Sequence, residues 1–170
     1  MRSTSIAAIS TLLVLALVGC AGTSGAPGSD GQPKRKITAL VFTYGDMTLD
    51  TAAGTLTSRP RNGAPQTVAL RLTPDEMARI NAKMDEMGFF AYPDSFIATM
   101  PAGQGGELSP AVMYRYEVAT TAGNKTLSWT DSVPSEEHKA VQLRELASLI
   151  EGIIQAKPEY KTLPAASGYL

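Results

Sequence analysis

Cysteine and histidine are almost missing from this sequence: each occurs once in 170 residues, as does tryptophan. A single cysteine excludes an internal disulfide framework and any cysteine-rich zinc site. A single histidine excludes histidine-cluster metal centres and mechanisms that need two imidazoles. An excess of one charge is missing too. With 15 basic and 16 acidic side chains the formal net charge is -1, so there is no basic footprint of the kind nucleic acid demands. Apolar residues at 44% and charged residues at 18% are the values of a globular chain, not a disordered one. The apolar run near the start, Ile6 to Val18 with Ser10 and Thr11 inside it, is short. As a helix it spans only about 20 Å against roughly 30 Å of hydrocarbon, which excludes an ordinary membrane span.

What is present there is a secretory signal: Arg2 near the start, the short apolar core, then small residues. Its end, Leu17-Val18-Gly19-Cys20, resembles the lipobox of bacterial lipoprotein signal peptides. The resemblance implies cleavage between Gly19 and Cys20, a diacylglyceryl thioether on Cys20 and acylation of the freed amine. Two or three acyl chains anchor stably where one binds only marginally. The expected partition is a signal peptide at 1–19, lipidated Cys20 with a tether to 35, and a single domain at 36–170. The tether, AGTSGAPGSDGQPKR, has almost nothing to bury and reads as a flexible linker about 20 Å in reach. Lys34, Arg35 and Lys36 at its end either meet anionic headgroups or mark a solvated linker end. Ala21 after the cysteine favours, by resemblance to enterobacterial sorting, the outer membrane facing the periplasm. In a host with one membrane the place is the outer face of the plasma membrane.

In the domain, Ile37 to Thr43 reads as a strand turned at Tyr44-Gly45-Asp46, and Gly54 turns the strands at 46–50 and 55–59. Val68, Leu70 and Leu72 alternate as a further strand. Thr73-Pro74-Asp75-Glu76 is a capping box with proline at the first helical position. Met77, Ile80, Met84 and Met87 form the buried stripe of that helix, and Gly88 ends it. Residues 91–109 read as a long irregular loop, a kind often functional.

Val112, Tyr114, Tyr116 and Val118 share one face of a strand. Turns at Ala122-Gly123 or Gly123-Asn124 set Val118 against Leu127 or against Trp129, and the first also pairs Tyr116 with Trp129. A second helix is expected from Ser135 to Ala156, with Glu136 and Glu137 in its first turn and a stripe of Leu143, Leu146, Ile150, Ile153 and Ile154. The tail, with Tyr169 and Leu170, is expected to dock on the body. The fold expected is α+β: a mostly antiparallel sheet of five to six strands with two helices packed on one face.

Catalytic patterns are sparse. His138 stands beside Glu136 and Glu137 near a helix start, no serine sits in a nucleophile elbow, and no glycine-rich phosphate loop is present. Asp46 and Asp50 lack the alternating ligands of an EF-hand and read as turn residues. No catalytic residue, metal ligand or cofactor is expected. Tyr114, Tyr116 and Trp129 read either as a carbohydrate or peptide platform or as a cross-strand core cluster, the latter favoured by their facing Val112, Val118 and Leu127.

Tyr114-Arg115-Tyr116-Glu117-Val118, Gly123, the strand to Trp129, Pro134 and Leu143-Arg144-Glu145-Leu146 resemble emfourin-type inhibitors of bacterial metalloproteases over residues 68–150. Phe89-Phe90 after a helix fits the same likeness. The matching positions are structural, so no inhibitory residue carries over. The leading expectation is a non-enzymatic envelope lipoprotein. The membrane holds it through acyl chains on Cys20, and an envelope protein or polymer is its partner. The alternative is an envelope-anchored protease inhibitor that presents Ser95 to Pro101 of the loop 91–110.

Overall fold

The computed structural model describes residues 35–61, 63–100 and 111–163. The signal segment 1–19, Cys20, the tether up to Lys34, loop residues 101–110 and the tail 164–170 lie outside them.

Strands β1 (Ile37–Tyr44), β2 (Met47–Asp50) and β3 (Thr55–Ser58) form the expected meander. Gly54 makes the second turn at φ 67°, where a side chain is disfavoured. Strand β4 (Gln66–Ala69) is shorter than the alternation to Leu72 predicts. The Leu70 amide leaves the ladder to donate to the Gly54 carbonyl at 2.9 Å, and its side chain drops into the core.

Helix α1 (Pro74–Glu86) starts on the predicted capping box. The Glu76 amide donates to Thr73 Oγ1 at 3.2 Å, and the Thr73 amide donates to Glu76 Oε2 at 2.7 Å. It ends before Gly88, whose φ is 64°. A 3-10 turn at Phe89–Ala91 then leads into the expected loop, which holds a short strand β5 (Ser95–Phe96). Strands β6 (Val112–Thr120) and β7 (Gly123–Asp131) and helix α2 (His138–Gln155) complete the fold, followed by a 3-10 turn at Pro158–Thr162.

The result is α+β, two helices with a seven-stranded sheet in the order β4-β3-β2-β1-β6-β7-β5. The sheet is mixed, because β5 runs parallel to β7. The expectation of five to six strands missed β5 because two residues carry no alternation to read. The Ser128 amide donating to the Asp94 carbonyl (2.8 Å) and burial of Phe96 hold it there.

The β6–β7 register also differs from both expected pairings. Val118 faces Lys125, Tyr116 faces Leu127 and Tyr114 faces Trp129, around a turn at Thr121-Ala122. The Thr120 hydroxyl decides this: it accepts from the Ala122 amide (3.1 Å) and donates to the Gly123 carbonyl (2.7 Å), closing the turn ahead of the glycine. A shift of two residues preserves the faces, so the apolar pattern alone could not detect it. Lys125, brought to the inward side, sends its ammonium out to the Tyr92 carbonyl and to Asp94.

Helix α2 starts three residues late, with Glu137 as N-cap. Glu136 and Glu137 therefore precede its first turn. Ser135 is buried instead, with its hydroxyl accepting from the Glu137 amide and its carbonyl held by Arg144. The two helices run antiparallel, since Lys83 pairs with Glu145 and Lys157 with Glu76, each at 2.7 Å. Their buried residues join Leu40, Phe42, Leu49, Leu56, Tyr116 and Leu127 of the sheet in one apolar cluster. The opposite sheet face carries a cross-strand row of threonines: Thr67, Thr57, Thr48 and Thr43. Polar hydroxyls facing water are the ordinary outer side of an antiparallel sheet.

Candidate functional site

One inward row crosses the sheet where β1 turns into β2. Ser58, Met47, Tyr44, Tyr114, Trp129 and Phe96 are successive cross-strand partners in it. Phe42 stacks on Tyr44 (centroids 5.2 Å apart) and on Tyr114 (6.2 Å), and Tyr114 stacks on Trp129 (5.2 Å). Tyr116 lies one row deeper, fully buried, its hydroxyl donating to the Leu143 carbonyl at 3.5 Å. Trp129 is 1% exposed. The aromatic group is therefore core at Tyr116 and Trp129, while Tyr44 and Tyr114 keep part of their surface in water.

Helix α2 crosses above this row with two charged residues two turns apart on one side. They have opposite circumstances. Arg144 is fully engaged. It gives Asp131 two bonds (2.9 and 2.8 Å), reaches the carbonyls of Ser135 (2.6 Å) and Val133 (2.9 Å), and lies 5.8 Å from the Trp129 ring centre. Glu151 has no hydrogen bond or ion pair among the described residues. Burial lifts its carboxyl above the usual range, and nothing opposes that. The phenols beneath feel it. Burial pushes Tyr114 up to about 12, with Glu151 and Asp131 adding to the effect. Tyr44 is pushed further up by burial, then by Tyr160, Glu151 and Asp46.

The row also holds Tyr44 Oη, Ser58 Oγ and Trp129 Nε1, which are buried without a hydrogen-bond partner among the described residues. Such atoms are normally paired. The row thus combines buried polar atoms that lack partners with a carboxylate on α2 that lacks a counter-charge among the described residues. By contrast, the shallow hollow of about 250 Å³ on the threonine-bearing face, lined by Ala39, Val41, Glu117, Ala119 and Asn124, has its carboxylate matched. Arg115 pairs with Glu117 at 2.7 Å.

The residues singled out in the sequence are scattered. Gly19, Cys20 and Lys34 lie outside the described residues, and so does the loop from Pro101 to Pro110. Arg35 stacks over Phe90 at 4.1 Å, and the Lys36 amide donates to Thr121 Oγ1 at 3.3 Å. His138 is exposed at the first position of α2. Asp50 serves its turn, accepting from the amides of Ala52 and Ala53 at 2.9 Å each. Among the described residues no group of three or more histidine, cysteine, aspartate or glutamate side chains could hold a metal, and no helix is long and apolar enough to cross a membrane. In the loop segment, Phe96 is buried against Tyr92, whereas Ile97 is 85% exposed.

Sequence reasoning did not single out Tyr44 as a member of the row or Glu151 as a carboxylate without a partner. The available signal was Glu151 itself, wedged between Ile150 and Ile153 at the margin of the apolar stripe. Comparison with protein-family models, curated proteins and solved structures finds no match for this chain.

Proposed function

We propose that this chain is a lipid-anchored bacterial cell-envelope protein whose α+β domain binds or supports another envelope component without catalysing a reaction. The observation that carries the reading is Leu17-Val18-Gly19-Cys20 closing a short apolar core, with the only cysteine of the chain at the position where it would be acylated. Acyl chains on Cys20 hold the protein to the outer membrane facing the periplasm, or to the outer face of the plasma membrane in a host with one membrane. The tether lets the domain reach a protein or polymer partner. Metabolic labelling with a fatty acid tests the anchor. The parent takes up label, whereas Cys20→Ser takes up none and accumulates as uncleaved precursor or released protein. Label retained by Cys20→Ser would refute it. A pull-down from envelope extracts identifies the partner.

A second reading, an envelope-anchored protease inhibitor, is favoured by one observation: Ile97 stands exposed just beyond β5, where an extended segment could enter an enzyme cleft. Burial of Phe96 removes one side chain such a segment would use, whereas Met100 keeps part of its surface in water. Assay against thermolysin-like and serine proteases, with Ile97→Ser as the comparison, decides it. Inhibition lost in Ile97→Ser supports the inhibitor, and cleavage of the chain without inhibition ends it.

A further inference from the structure

We propose that Met113 is a site of reversible oxidation, at which a peroxide converts the thioether to its sulfoxide while the domain stays folded. The inference concerns the outer face of the sheet and goes beyond the reading of this domain as a binding module.

Position sets the reactivity. Met113 lies on β6, between β1 and β7 in the sheet. Tyr114 beside it belongs to the inward row, so alternation turns Met113 to the outer face. Its neighbour on β7 is Thr130. On the other side β1 has just ended, and the Gly45 amide donates to the Met113 carbonyl at 3.1 Å. Gly45 has no side chain to lay over the thioether, and the space where its β-carbon would stand is open to 4 Å. Met113 is therefore 62% exposed although its strand is interior. The other methionines differ. Met47, Met84 and Met87 sit in the apolar cluster at 5%, 0% and 6%, and Met77 and Met100 are half-buried.

The chemistry requires contact between oxidant and sulfur. A sulfur lone pair attacks one peroxide oxygen, the S–O bond forms as the O–O bond breaks, and the other oxygen collects both protons and leaves as water. Sulfur loses two electrons and the peroxide gains them. The product is polar. At Met84 it would bury an oxygen without a partner, which costs stability. At Met113, outside the apolar cluster, the new oxygen stands in water and no core packing is lost. A dithiol reductant reverses the step: the oxygen leaves as water and the two thiols join in a disulfide.

The full chain should be treated with hydrogen peroxide for increasing times and digested, and the oxygen gained by each methionine peptide followed by mass spectrometry. Met113 is expected to react about tenfold faster than Met47, Met84 and Met87, or more, because those three are reached only when the fold opens. Unfolding in urea should erase the difference. Circular dichroism of the protein oxidised at Met113 should match that of the parent. Methionine sulfoxide reductases A and B with dithiothreitol should then restore the thioether in the folded protein. Met113→Leu should remove the fast phase of oxygen uptake and leave the slow phases unchanged. Equal rates for Met113 and the buried methionines in the folded chain, unfolding on oxidation of Met113, or a sulfoxide that both reductases leave in place would each overturn the proposal.

Discussion

Replacing Arg144 by methionine tests whether one side chain fastens α2 to the sheet. Methionine keeps an aliphatic stem of similar length and deletes the guanidinium, which lies 5.8 Å from the Trp129 ring centre. Four hydrogen bonds go with it, and the Asp131 carboxylate, only 16% exposed, loses its cation. Breaking a buried pair by removing one partner costs about 3–5 kcal/mol. The Arg144 side chain is 31% exposed, so water recovers part of this, and a loss of about 2–3 kcal/mol is expected. In a chain of this size that lowers the Tm by roughly 6–12 °C. Urea denaturation followed by the fluorescence of Trp129 measures it directly. A double-mutant cycle with Asp131→Asn should return a coupling of about 1–2 kcal/mol, since the two residues share one bidentate contact. A cost below about 1 kcal/mol, or no coupling, would refute the idea that this contact fastens the helix.

Trp129→Ala should cost about 3–5 kcal/mol, the range for truncating a buried aromatic side chain, and because it removes the fluorophore, circular dichroism must follow the unfolding. A loss below about 1 kcal/mol would place the indole on a working surface instead. Glu151→Gln should raise the Tm near pH 7. The carboxyl is raised in the folded state, so the native protein holds its proton longer than the unfolded chain does, and stability falls as pH climbs from the ordinary carboxylate value to the raised one. The advantage of Glu151→Gln should vanish near pH 4; an advantage that is constant with pH would mean that charge burial is not its cause. Glu76 gives the opposite sign. Burial raises its carboxyl, but bonds from Lys157 and from the Thr73 amide outweigh that and hold it below the usual value. Glu76→Gln should therefore destabilise at neutral pH, and that loss should fade as acid protonates the parent; an equal loss at low pH would contradict the ion-pair account.

The parts of this fold written in local chemistry were legible. Thr73, Pro74 and Glu76 announce the start of α1, and the stripe Leu143, Leu146, Ile150 marks the buried side of α2. The parts decided by a single hydroxyl or by a distant partner were not. Thr120 outcompeted Gly123 for the hairpin turn, and Ser135 turned inward to Arg144 instead of opening α2. The candidate site was half legible for the same reason. Tyr114 and Trp129 could be assigned to one face from alternation alone. Whether Glu151 has a counter-charge depends on where Arg144 and Lys157 go, and those partners lie on Asp131 and Glu76, in other elements.

The direction of β1 has a practical consequence for handling the molecule. The chain joins the sheet at Ile37, fastened there by Arg35 over Phe90 and by Lys36 on Thr121. Met113 and Thr130 pair at the far end of the strands, with Ile97 just past β5 on that side. The seven steps from Ile37 to Tyr44 along β1 separate the two ends by about 23 Å at the usual rise of a strand. A label or linker attached directly before Ile37 is therefore joined to the domain at the entry end of β1. The far end of the strands, with Ile97 and Met113 uncovered at 85% and 62%, stays clear of such an attachment.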